Sequence, residues 1–157
     1  MPMKGVFADL PIFLVNLQSD MERLRSFIGK IPTGVLSGIT VALILWLTLA
    51  PHPTGDMELP LFPGADKVVH AIMFGFLAFV LLLETMKHNG WKPLPLATVG
   101  LVSIICALFG VGIEILQRAM GLGRTFETLD ILADSGGAVI AGGVWAMVQN
   151  LFAKPQE

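Results

Sequence analysis

Four apolar runs, each close to the length that crosses a bilayer, limit what this chain can fold into. A helix rising about 1.5 Å per residue needs roughly 20 mostly apolar residues to cover a hydrocarbon core of about 30 Å. The runs cover residues 31–50, 66–86, 93–116 and 129–150, the last continuing an element that starts near Thr125, a plausible N-cap, and reaches Phe152. Turn and breaker chemistry separates them: Pro51-His52-Pro53, Pro60, Pro63-Gly64, Asn89-Gly90, Pro93, Pro95 and Gly121-Leu122-Gly123. Only 14% of the residues are charged, against about 25% in an ordinary soluble domain. The expected fold is an all-α membrane protein, four transmembrane helices in a bundle, and its principal partner is the lipid bilayer.

Residues 1–30 carry a different pattern. Phe7, Leu10, Leu14, Leu17, Met21, Leu24 and Ile28 recur at steps of three and four, while Asp9, Asn16, Asp20, Glu22, Arg23 and Arg25 fill much of the rest. That describes an amphipathic helix lying in the membrane interface, with docking on a protein partner as the alternative. It is too polar to span. Lys4 followed by Asp9 and Pro11 does not make a cleaved secretory signal. Cys106, the single cysteine, lies mid-run and reads as a packing residue.

Lysine and arginine set the orientation. Lys4, Arg23, Arg25, Lys30, Lys87, Lys92 and Lys154 fall on one side of the predicted topology, against Lys67, Arg118 and Arg124 on the other. The termini, including the tail 153–157, are therefore expected on the cytoplasmic side of the membrane. A net charge of −2 gives no ground for nucleic-acid binding.

The outward ends of the spans carry the chain's most informative residues. Asp66, Lys67 and His70 open the second span; Glu114, Gln117 and Arg118 end the third; Arg124, Glu127, Asp130 and Asp134 lead into the fourth. The spacings i, i+3, i+4 and i+7 put each group on one helix face, and Asp134 lies about 6 Å deeper than Asp130. Ionisable groups near hydrocarbon usually face a bundle interior or a cavity. The small residues Gly136, Gly137, Ala138, Ala141, Gly142 and Gly143 aim the same helix inward, and Asp134 with it.

Each residue also has a plain structural role to set against chemistry. Asp66 serves equally as an N-cap, Lys67 as a side chain snorkelling to head groups, and Arg118 and Glu127 as a rim. Glu84, at the inner end of its span, reads as an interface residue. Glu114 and Asp134 are the hardest to dismiss, because a buried carboxylate must be paired, metal-bound or protonated. Candidate ligand-binding residues are Asp66, Lys67, His70, Glu114, Gln117, Arg124, Asp130 and Asp134, with His70, Glu114 and Asp134 the candidates for acid–base work. No dense metal motif such as H-E-x-x-H occurs, so neither metal nor cofactor is expected.

The sequence resembles a known family at three places. Asp66-Lys67-x-x-His70 opening a span, Glu114-x-x-Gln117 followed by a glycine turn and Arg124, and Asp130-Ile131-Leu132-Ala133-Asp134 with Gly137-Ala138 resemble the signatures of VanZ-like proteins. The resemblance covers roughly residues 31–150. It departs from the family in carrying Asp134 where asparagine is common, Phe74 near a position usually held by a hydroxylated aromatic, and no proline before the turn glycine. It implies a small multi-span bacterial membrane protein, in some members linked to resistance to glycopeptides such as teicoplanin. Two functions follow as expectations. One is an outward polar pocket that binds or modifies an envelope lipid or cell-wall precursor. The other is a scaffold whose polar cluster is interhelical glue and whose N-terminal helix binds a partner.

Overall fold

The computed structural model describes residues 10–50, 63–121 and 127–154. Five helices follow one another: α1 (Leu10–Lys30), α2 (Val35–Leu49), α3 (Ala65–His88), α4 (Leu96–Met120) and α5 (Thr128–Phe152). No strand occurs among the described residues. Helices α3, α4 and α5, of 24, 25 and 25 residues, are each long and apolar enough to cross a membrane. The shorter α2 has 15 residues, about 22 Å of helix, and reaches the length and hydropathy of a span only when taken together with α1, to which it is joined by a bend.

That bend is 76°. With α2 along the bundle, α1 lies nearly crosswise, the attitude of an interfacial helix. The break falls at Ile31-Pro32-Thr33-Gly34, and α2 starts only after it; the four residues expected at the head of the first span make the corner instead. Arg25, almost fully buried, donates from Nη1 to the Ala153 carbonyl at 2.5 Å and so holds α1 against the end of α5.

The start of α2 is capped from another helix. Glu84 on α3 accepts from the backbone N–H of Gly34 at 3.0 Å and of Leu36 at 3.1 Å through Oε1, and from the Ser37 hydroxyl at 2.6 Å through Oε2. Free N–H groups and a positive dipole end make a helix N-terminus a natural seat for a carboxylate. This corrects the sequence reading of Glu84 as an interface residue: it is buried and structural.

The inner end is tied in the same manner. Gln149 on α5 accepts from Leu94 N–H at 2.7 Å and donates to the Leu94 carbonyl at 3.2 Å, pinning the α3–α4 connection. Trp91 there takes a positive φ of 63°, held by its N–H to the Met86 carbonyl at 2.8 Å and its carbonyl to Lys154 N–H at 3.1 Å. The core runs through Ile44, Phe74, Leu77, Leu82, Met86, Cys106 and Trp145, all at most 2% exposed. Trp145 stacks on Phe152 with centroids 5.5 Å apart and meets Phe79 edge-on at 5.2 Å. The outer faces carry Ile72, Leu108, Ile140 and Met147 towards the surroundings, as expected where the solvent is lipid.

Small residues decide how closely the helices pack. A Cβ on Gly137 would sit 2.0 Å from the Ala71 carbonyl oxygen, so only glycine lets α5 lie on α3 at this point. Gly110 plays the same part between α4 and α5, where an added Cβ would sit 2.6 Å from Asp134 Oδ2. Ser103 on α4 adds a polar tie, its hydroxyl donating to the Val99 carbonyl of its own helix at 3.2 Å and lying 3.3 Å from the Ala138 carbonyl of α5.

Candidate functional site

Helices α3 and α5 both begin at the end of the bundle remote from the Arg25–Ala153 contact, and they descend side by side in step. Lys67 meets Asp130, and His70, one turn deeper, meets Asp134. Below these pairs lies the Ala71–Gly137 contact. The closest approach of the two backbones thus falls immediately beneath the polar residues and sets their separation.

The upper layer is an ion cluster centred on Lys67. Its ammonium lies 2.5 Å from Asp66 Oδ2 and 2.8 Å from Asp130 Oδ1, and it also donates to Glu127 Oε2. The Asp66 and Glu127 side chains are about half exposed, that of Asp130 much less. Asp66, Glu127 and Asp130 each bring one oxygen within 4.8 Å of the others, a spacing that suits a cation, and the Lys67 ammonium meets all three. Lys67 is therefore not a snorkelling side chain reaching for head groups. Nor is Glu127 a peripheral residue: it joins this cluster and tethers α4 as well.

That tether runs through Glu114. Its Oε2 accepts from the Glu127 backbone N–H at 3.1 Å, at the residue that precedes α5. Its Oε1 is buried and has no hydrogen-bond partner among the described residues. Gln117, one turn on, donates to the Thr48 carbonyl at 2.8 Å and so joins α4 to the end of α2. Arg118 is exposed and takes no part. Arg124, expected as an anion partner, and Thr125, expected as a cap, lie outside the described residues; α5 starts at Thr128 with Glu127 in the capping position.

The lower layer is the His70–Asp134 pair. His70 Nδ1 and Asp134 Oδ1 are 2.9 Å apart, and the Asp134 side chain is 1% exposed. Asp134 Oδ2 is buried, lies against Gly110 and accepts no hydrogen bond among the described residues. Gly110 and Glu114 are i, i+4 neighbours, so Asp134 rests on α4 one turn below Glu114. His70 is partly exposed and its Nε2 makes no hydrogen bond within the described protein. A histidine anchored at Nδ1 by a carboxylate presents Nε2 in a fixed orientation, the arrangement that serves proton transfer.

Of the eight residues expected to bind a ligand, seven are described, and the fold gathers Asp66, Lys67, His70, Glu114, Asp130 and Asp134 at one end of α3, α4 and α5. Gln117 adjoins them but is spent on a backbone carbonyl. Sequence reasoning under-weighted Glu127 and missed Gly110, although Gly110 lies one turn before Glu114 on the same face, where a missing side chain leaves room for a neighbour's carboxylate.

Neither a curated protein nor a solved structure shows significant similarity to the chain. The VanZ/LLP1 family, by contrast, matches residues 12–149, which runs from α1 into α5 and takes in the whole polar cluster. This multi-pass membrane protein belongs to the VanZ/LLP1 family.

Proposed function

We propose that the outer ends of α3, α4 and α5 form a polar site, facing out of the bacterial cytoplasmic membrane, that binds or modifies an envelope lipid or cell-wall precursor. The observation that carries this reading is Asp134, buried, bound to His70 through one oxygen and without a partner among the described residues at the other. Leaving a buried polar atom without a partner costs about 1–3 kcal/mol, an expense out of keeping with a purely structural residue. A second buried carboxyl oxygen, Glu114 Oε1, also lacks a partner among the described residues. His70 Nε2 then takes a proton from, or gives one to, a ligand hydroxyl, amine or bound water, while Glu114 and Asp134 hold the charge that develops. The site lies where head groups lie, which suits an amphiphilic ligand. The excess of lysine and arginine at the other end supports cytoplasmic termini, and family membership supports a role in glycopeptide susceptibility.

The experiment compares His70→Ala and Glu114→Ala with the parent in a strain whose teicoplanin susceptibility depends on the protein, with membrane abundance measured alongside. Loss of the phenotype at unchanged abundance is expected. An unchanged phenotype in a stably inserted protein would refute the reading.

A second reading, a scaffold with the cluster as glue, draws on Lys67 and Gln117, whose polar groups are spent on neighbouring side chains and backbone. Interhelical hydrogen bonds in membranes are worth about 0.6–2 kcal/mol each. On that reading the same variants lose abundance and phenotype together, and removal of α1 releases a protein partner.

A further inference from the structure

The geometry points to a lipid-chain groove between α3 and α5 whose head-group end is the Lys67 cluster, built for an amphiphile carrying an ammonium group. This rests on the reading of the outer end as a site for an envelope lipid, and it names the class of that lipid.

The groove has a volume of about 540 Å³ and is lined by Lys67, Ala71, Gly75, Phe79, Ala141 and Val144 among others. Lys67 is the only charged residue in its lining. From Lys67 to Phe79 it follows twelve residues of α3, about 18 Å, which is more than half the hydrocarbon core. Its walls are low because the facing residues are Ala71 and Gly75 on one side and Gly137 and Ala141 on the other. The feature that brings the backbones together thus also leaves a furrow along the seam. A furrow of this length, apolar below and ionic at its outer mouth, matches a single acyl or prenyl chain with its head group at the cluster.

Charge selects the head group. Lys67 is surrounded by Asp66, Glu127 and Asp130, leaving two carboxylates in excess, and the two exposed ones, Asp66 and Glu127, adjoin the groove through their contact with Lys67. The imbalance holds for the outer span ends in the sequence: five carboxylates (Asp66, Glu114, Glu127, Asp130, Asp134) against Lys67, Arg118 and Arg124. A purely anionic phosphate or diphosphate meets repulsion there. An ammonium finds the exposed carboxylates of Asp66 and Glu127, and the phosphate of a zwitterionic head group can then face the Lys67 ammonium.

The test uses the full chain in phosphatidylcholine vesicles and measures association of spin-labelled phosphatidylethanolamine and phosphatidylglycerol of identical chains. The ethanolamine lipid is expected to bind at least threefold more tightly, and Asp66→Asn with Glu127→Gln should erase that preference. Ala141→Leu or the exposed Val144→Trp should reduce the association of both lipids to that of bulk annular lipid. Equal association of the two lipids with the unaltered protein, or a preference for the glycerol lipid, overturns the proposal without any variant being needed. Undiminished binding in a stably folded groove variant overturns it equally. If no head-group preference is found while His70→Ala still abolishes the phenotype, the polar site stands and the groove falls. If the preference is found while His70→Ala and Glu114→Ala are silent, the groove stands and the proposed chemistry falls.

Discussion

His70 Nδ1 lies 2.9 Å from Asp134 Oδ1, joining α3 to α5 inside the bundle, just above the point where Gly137 touches Ala71. The contact and the polar pair are two consequences of one helix crossing. An amide oxygen can accept from His70 as a carboxylate oxygen does, so Asp134→Asn should keep the protein inserted at near-parental abundance, whereas Asp134→Leu strands a partly buried imidazole and should lower it severalfold. Immunoblots of washed membranes compare the two, and equal abundance would show that the His70 contact contributes little to assembly.

Gly137 and Gly136 form a matched pair of tests on adjacent residues. A Cβ at Gly137 collides with backbone, which cannot yield as a flexible side chain does, while one at Gly136 meets nothing within 4 Å. Overpacking costs about 1–3 kcal/mol and sometimes more. Gly137→Ala is expected at or above the upper end of that range and Gly136→Ala within about 0.5 kcal/mol of the parent, as read by unfolding in mixed micelles.

Lys67 has three acidic neighbours, so its removal leaves repelling carboxylates and not merely a missing contact. Lys67→Met should destabilise by no more than about 1 kcal/mol, because Asp66 and Glu127 are half exposed and solvent screens the repulsion among the carboxylates left behind. Adding Asp130→Asn to it should recover part of the loss. A double variant no better than Lys67→Met would mean the three carboxylates do not strain one another.

Glu84 serves three donors at the start of α2. Glu84→Ala is expected to cost about 2 kcal/mol, the upper range of a lost helix cap, and to open the 31–34 corner to proteolysis in inverted vesicles. Unaltered cleavage there would show that Pro32 and Gly34 alone hold the corner.

Trp145 is fully buried, yet its Nε1 has no hydrogen-bond partner among the described residues. Its contribution is the ring, stacked on Phe152 and met edge-on by Phe79. Trp145→Phe should therefore cost far less than Trp145→Ala, for which about 3–5 kcal/mol is expected; calorimetry in detergent separates the two.

Much of this was readable without coordinates. The three long spans follow from run length, the crosswise α1 from a stripe of apolar residues three and four apart, and the inward face of α5 from its small residues. Asp66, His70, Glu114, Asp130 and Asp134 stood out because a charge next to hydrocarbon needs a reason. The first span is shorter than its apolar run, since Pro32 and Gly34 place a corner inside a stretch whose hydropathy does not change. Glu84 and Lys67 were misjudged for one reason: what a charged side chain does depends on which helix end or carboxylates lie across from it.

The sequence by itself determined which residues share a helix face, because 3.6 residues per turn is a property of one helix and is written in consecutive residues. Only the tertiary structure decided which faces meet. The pairing of Lys67 with Asp130 and of His70 with Asp134, the room that Gly110 leaves for Asp134, and the capping of α2 by Glu84 all depend on the depth and register at which helices cross. That register is set by the Ala71–Gly137 contact between α3 and α5 and by Gly110 between α4 and α5, because packed helices settle where the smallest side chains let their backbones come closest.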